Sequence, residues 1–367
     1  MKRFIVFLSI FLLISAAVFG QIDLQPLAVI RLSKTEQISV KQFKDYVNWL
    51  TITKIMSTGD INARLTNDER RLALDELGNQ FLACQAAEQE KITVTSREID
   101  QYFDQSMKNF SESLAQVLGH TPTEAEVDAE LRNRTGMTRA GFKDIMKRSL
   151  ITENYLKIKK KALFESIKQP TDAEIQVIYN DFKGKSTLEG GFSRPDTIGV
   201  RMIIVPIINS NGRTAAQTTA NNLAKQIGND PGRFDEVARD FQKPNSGYVT
   251  GNGYMYKHER IRESIGAAFF DAAFSLKQGE VSKLLERPDG FYLIKVIETY
   301  RARILALDDI YSLEDPRNIT IKQAIIAMEM QRRLMAALQQ ASEELVAELR
   351  KKGTIEIKMD IYNQITW

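Results

Sequence analysis

Phe270-Asp271-Ala272-Ala273-Phe274-Ser275-Leu276-Lys277-Gln278-Gly279-Glu280-Val281-Ser282, followed by Gly290-Phe291-Tyr292-Leu293-Ile294-Lys295-Val296, is the stretch that decides the fold. Phe270, Ala273 and Phe274 fall three and four residues apart, so Ala267 to Leu276 reads as a helix. Gly279 turns the chain, Val281 to Leu285 reads as extended, and Phe291 to Ile297 reads as a strand of aromatic and β-branched residues. Helix, glycine turn and apolar strand in close succession describe a small α+β unit with a buried sheet.

On its N-terminal side, Ile198 to Ile208 is strand-like, Thr214 to Ile227 and Arg233 to Phe241 are helical, and Gly247 to Tyr256 reads as a glycine-punctuated loop. Upstream of that, Lys183 to Pro195 is rich in Gly, Ser and Lys and reads as a linker. Pro170-Thr171-Asp172-Ala173-Glu174 opens a short hinge helix. The segment before it carries helix-opening words at Thr66-Asn67-Asp68-Glu69, Thr95-Ser96-Arg97-Glu98, Thr123 and Thr138, each ahead of an amphipathic run. Residues 39–168 therefore read as helical, led by one strand, Leu27 to Leu32, and a polar turn, Ser33 to Gln37. After the α+β unit a long helix runs from Ile319 to Lys352, and Thr354 to Ile361 reads as a closing strand. The expected architecture is α+β: a helical body, completed by a returning C-terminal helix and strand, with an inserted unit of about four antiparallel strands and short helices. Its expected segments are 21–170, a hinge and linker at 171–195, the inserted unit at 196–300, and a return at 301–367.

The chain has 367 residues, too many for one ordinary core. A formal net charge of +3 gives no strong field for nucleic acid. One cysteine excludes an internal disulfide, and two histidines, His120 and His258, leave little material for imidazole catalysis or a metal centre. No P-loop or dinucleotide fingerprint is present, so no ATP or other cofactor is expected, and a single cysteine leaves no Cys-rich metal site. Lys2 and Arg3, the apolar run Phe4 to Ile14 and the small residues before Gln21 read as a secretory signal peptide over 1–20, cleaved after Gly20. That places the expected mature protein in the bacterial periplasm.

The unit at 196–298 resembles a parvulin (PpiC-type) peptidyl-prolyl isomerase domain. The words that carry the resemblance are Val200-Arg201-Met202-Ile203-Ile204-Val205, Phe234-Asp235-Glu236-Val237-Ala238 and the two stretches quoted first. The helical part resembles SurA-like and PrsA-like secretion foldases through Ala73-Leu74-Asp75-Glu76-Leu77, Gln85-Ala86-Ala87 and Ile92-Thr93-Val94-Thr95. In that family two histidines and a thiol or carboxylate line a proline-binding hollow. The resemblance puts Met202 and Tyr292 at the histidine positions and Pro244 at the thiol or carboxylate position. It makes Gly251-Asn252-Gly253-Tyr254 the turn beside the hollow and places Arg287 and Asp289 where small hydroxyl residues stand. Phe270 and Phe274 keep the family's residue type. The expected substrate-binding set is thus Met202, Asn252, Phe270, Phe274 and Tyr292, with no catalytic residue retained.

These readings imply an exported chaperone that binds unfolded or extended envelope polypeptides, X-Pro segments included, with weak or lost isomerase activity. The alternative is an active isomerase that works by an apolar pocket alone, with the Tyr292 hydroxyl donating to the imide. A monomer and a dimer that swaps its terminal segments are both compatible with the pattern. Cys84 lies on an apolar stripe and reads as inert core, His258 as solvated, and the run Lys157 to Lys161 as a solvated helix face.

Overall fold

The computed structural model describes residues 22–58, 60, 62–207, 212–228, 230–239 and 247–367. The signal-peptide segment 1–20, the end of the helix read to Phe241, and Pro244 lie outside the described residues. The chain forms two compact units. One comprises the residues up to 167 together with those from 333 onward, and the other spans 168–332.

The first unit opens with β1 (Pro26–Arg31) and β2 (Thr35–Ser39), which pair antiparallel. The second strand replaces the polar turn expected at Ser33 to Gln37. Its sequence hides it, because only Ile38 of the five residues is buried. Helices follow: α1 (Val40–Thr58), α2 (Asn67–Gln89), α3 (Ser96–Leu118), α4 (Glu124–Thr135), α5 (Arg139–Lys159) and α6 (Lys161–Glu165). Thr66, Thr95 and Thr123 each accept from the amide three residues on, where a glutamate returns the bond to the threonine amide. These reciprocal caps satisfy helix-end donors that have no partner inside the helix. The helix read continuously from Thr138 breaks at Lys160, whose side chain is only 12% exposed and bonds Glu344 and Glu348 at 3.0 and 2.7 Å. Lys160 is thus an anchor within the run read as solvated.

The second unit begins with α7 (Asp172–Phe182), capped by the same Thr–Glu device at Thr171 and Glu174. The expected linker 183–195 instead holds a short 3-10 turn and β3 (Ser193–Arg194). Then come β4 (Thr197–Pro206), α8 (Arg213–Ile227), α9 (Pro231–Arg239) and β5 (Val249–Tyr256). They are followed by α10 (Glu259–Ile265), α11 (Ala267–Phe274), β6 (Leu285–Arg287), β7 (Gly290–Tyr300) and β8 (Arg303–Ile304). The glycine-punctuated segment read as a loop is therefore a strand. Gly251 and Gly253 remove the alternating side chains by which a strand is recognised, while backbone pairing with β4 continues unbroken from Ile204↔Val249 to Thr197↔Tyr256. The sheet order is β5-β4-β7-β6, all antiparallel. One face packs α8 and α9 through Ile203, Val205, Leu293, Leu223 and Phe234; the other packs α10 and α11. A second core joins Ile175, Phe192, Leu305, Ile321 and Ile325, so the hinge helix and the chain after 300 share packing within this unit.

The chain returns through α12 (Ile321–Lys352), whose residues from Arg333 belong to the first unit. It continues into β9 (Thr354–Ile357) and α13 (Met359–Tyr362), so the closing strand is shorter than the expected Thr354 to Ile361. β9 pairs antiparallel with β1, making β1 the centre of a three-stranded sheet ordered β2-β1-β9. Ala341, Leu345 and Leu349 enter the core formed by Leu27, Ile30, Phe43, Leu74, Leu77 and Leu82. Gly78 faces Ile355 so closely that a Cβ there would lie 2.8 Å from its Cδ1, which lets the helix and the closing strand meet.

Candidate proline-binding face

Antiparallel pairing decides which side chains share a side of the sheet. Ile198, Val200, Met202 and Ile204 of β4 point to the same face as Tyr292, Ile294 and Val296 of β7. The apolar pattern of α10 and α11 covers that face with Ile261, Ile265, Phe269, Phe270 and Phe274. The Phe270 and Phe274 rings lie 4.5 Å apart at 40°, Phe270 buried and Phe274 half-buried. Met202, Phe270, Phe274 and Tyr292 therefore belong to one apolar cluster.

Asn252 does not join them. It pairs with Arg201, one residue out of phase with Met202, and so faces the α9 side. There it accepts from Arg201 Nε at 3.2 Å, beside an ion network in which Asp235 holds Lys295 at 2.6 Å and Arg201 at 3.6 Å. Residue alternation across β4–β5 fixes this placement, and a loop over 247–256 offers no such alternation.

Sequence reasoning missed three partners of Tyr292. The Phe269 ring meets it edge-on at 5.2 Å and 83°. The Arg287 guanidinium lies over both rings, 5.4 Å from Phe269 and 5.5 Å from Tyr292. Asp289 accepts the phenol proton at 2.8 Å. The β6–β7 hairpin pairs Leu285 with Tyr292 and Arg287 with Gly290, which leaves Asp289 in the turn within reach of Tyr292. Burial, then the bond to Asp289, push the Tyr292 phenol up to about 12. It is a neutral hydroxyl at physiological pH, and its one proton is already given to a carboxylate.

Neither histidine reaches this face. His258 caps α10, its Nδ1 accepting from the Arg260 amide at 3.2 Å, and His120 lies in the first unit between α3 and α4. Cys84 also belongs to the first unit, half-buried, with burial pushing its thiol up. The cluster is apolar, and among the described residues neither histidine nor the cysteine belongs to it.

Residues 186–300 match the family model for the PPIC-type PPIASE domain. Over these residues the chain is similar to a PPIC-type PPIase domain. The match begins ahead of β4 and ends at the last residue of β7. The chain is also similar to Foldase protein PrsA 1 of Lactobacillus johnsonii (strain CNCM I-12250 / La1 / NCC 533). The two are 23% identical over 247 residues, which cover 65% of this chain and 67% of that protein. Among solved structures it is similar to a SurA-like chaperone of Campylobacter jejuni, with 14% identity, 90% of this chain and 98% of that one covered, and a TM-score of 0.30. It is also similar to PrsA from Bacillus subtilis, with 20% identity, 83% and 97% covered, and a TM-score of 0.27.

The raised Tyr292 pKa fixes a pH dependence. In the unfolded chain the phenol ionises near 10, whereas the folded second unit holds its proton up to about 12. Between those values the native state binds more protons than the unfolded state, so stability falls as pH rises. The contribution is fully present below pH 10 and is lost as pH passes about 12. Tyr292→Phe removes it. Urea denaturation across this window will show a shallower alkaline decline for the variant than for the wild type.

Proposed function

We propose that this chain is an exported chaperone-foldase that holds non-native polypeptides, and that its PPIC domain binds chain segments while isomerising X-Pro bonds weakly or not at all. The observation that carries the reading is the composition of the domain's apolar face. Phe270, Phe274, Met202 and Tyr292 share one apolar cluster, the resemblance assigns the two histidine positions to Met202 and Tyr292, and both histidines of the chain lie elsewhere. Rotation about an X-Pro bond faces a barrier of about 18–20 kcal/mol from amide resonance. An apolar hollow lowers it only as far as desolvation favours the twisted state. Tyr292 adds no donor, because its proton is held by Asp289.

Export is supported by the basic, apolar and small-residue order of 1–20 and by the similarity to a PrsA foldase. The proposed clients are unfolded or extended envelope polypeptides, released as they fold, with no nucleotide needed. Two assays on the full-length protein test the proposal. Equimolar protein is expected to suppress light scattering by a diluted, denatured envelope protein. Relaxation of a short X-Pro peptide is expected to accelerate by no more than about tenfold over the spontaneous rate, which takes tens to hundreds of seconds. Strong acceleration that Phe270→Ala abolishes would replace this reading with that of an active isomerase. Undiminished scattering would remove the chaperone.

A further inference from the structure

Backbone groups along the edge of a sheet are an unpaired template for another strand, and proteins guard them with short strands, charges, prolines or bulges. This chain guards its edges unequally. Among the described strands, β2 and β9 border the first unit's sheet; they have five and four residues and carry Glu36 and Glu356. β6 has three residues, including Glu286 and Arg287, and β3 and β8 have two each, with Arg194 and Arg303. β5 is different. It is an edge strand of eight residues, Val249-Thr250-Gly251-Asn252-Gly253-Tyr254-Met255-Tyr256, without a charge or a proline, and its pairing with β4 contains no bulge. Among the described residues no side chain, turn or loop hydrogen-bonds to its outward backbone groups.

The side chains continue the argument. Val249, Gly251, Gly253 and Met255 lie on the face of Met202, because they pair with Ile204, Met202, Val200 and Ile198. At Gly251 and Gly253 an added Cβ would meet nothing within 4 Å, and neither glycine has a positive φ. Backbone strain therefore does not require glycine at either position. What the two glycines provide is an open shelf running from Met202 to the sheet edge, and glycine within a strand commonly marks close approach by another chain or ligand.

We propose that β5 receives an extended segment of a non-native polypeptide as an added strand, with large apolar or aromatic side chains at alternate positions lying over Gly251 and Gly253. Main-chain hydrogen bonds hold the segment whatever its sequence, while the glycine shelf selects its alternate side chains. The absence of charge on β5 suits apolar segments, which a native protein keeps buried. The inference rests on the chaperone reading and gives it a site.

The test uses the full-length protein and a labelled peptide of about ten residues with aromatic residues at alternate positions. Two analogues carry N-methyl groups on one or the other alternate set of amides. A strand that places its aromatic residues over the shelf pairs through one edge only. One analogue is expected to lose at least about tenfold in affinity and the other to bind like the parent. Gly251→Lys with Gly253→Lys, which the open space tolerates, is expected to weaken the parent peptide by a similar factor. Amide exchange at 249–256 is expected to slow when the peptide is bound. Equal binding by both analogues, or by the double variant, overturns the edge site while leaving the chaperone reading intact. Protection of 249–256 in a peptide-free dimer seen by sedimentation also overturns it, because a second copy would then be the occupant. Failure of the parent peptide to bind, together with undiminished client scattering, removes the proposed function itself.

Discussion

Phe192→Ala is expected to cost the second unit about 3–5 kcal/mol, read as a lower midpoint in urea denaturation with an unchanged slope. The ring is 1% exposed and stacks on Tyr179 at 5.8 Å and 8°, with Phe182 and Tyr311 at 6.3 and 6.2 Å. Its backbone is equally committed. The Phe192 amide donates to Phe182, and its carbonyl accepts from Leu305 at 2.8 Å. Tyr179 closes the circuit by donating its hydroxyl to the Leu305 carbonyl at 2.9 Å. Truncation to alanine leaves a void walled by aromatic rings and helix side chains that cannot all collapse into it. Phe192→Leu keeps most of the volume and is expected to cost less than about 1.5 kcal/mol. A loss with alanine no larger than with leucine would mean that the site collapses freely.

Gln85→Ala is expected to remove about 3 kcal/mol from the first unit. Gln85 is fully buried. Its Oε1 accepts from the amides of Leu32, Ser33 and Lys34, at 3.1, 3.1 and 3.4 Å, and its Nε2 donates to Glu36 at 2.8 Å. One side chain thus gathers the amides of the turn between β1 and β2, and alanine removes the side-chain acceptor of Ser33 and Lys34 and leaves Leu32 only its 3.4 Å bond to the Lys34 carbonyl. Gln85→Glu keeps the acceptor but sets a carboxylate against Glu36. That variant is expected to be most nearly native in acid, where one of the two is protonated, and to lose stability as pH rises. Thermal unfolding of both variants across pH checks the pair. An alanine variant within experimental error of the wild type would show that water satisfies the turn.

Periodic apolar residues made most of the fold legible. The α2 stripe of Leu74, Leu77 and Phe81 and the β7 run of Phe291 to Ile297 each announced the element they form. What stayed hidden was hidden for identifiable reasons. β2 buries a single residue, so its five residues carry no apolar alternation. β5 has glycine at two of its face positions, and the Gly, Ser and Lys around Phe192 disguised a core residue as part of a linker. At the site, Met202, Phe270, Phe274 and Tyr292 could be placed together from a family resemblance. Asn252 could not be placed without the register, because moving one residue along a strand changes the face. Asp289 and Arg287 were visible in the sequence, but their closure onto Tyr292 depends on a hairpin whose register the sequence did not reveal.

The central position of β1 sets an order of assembly. Its partner on one side, β2, follows it within a few residues, whereas its partner on the other side, β9, arrives more than three hundred residues later. A chain made from its N-terminus therefore completes the whole of 168–332 before the first sheet can close. Until then β1 keeps a vacant flank, and Leu345 and Leu349 have yet to reach their core. The newborn protein spends this interval in the incompletely folded condition that it is proposed to recognise in others.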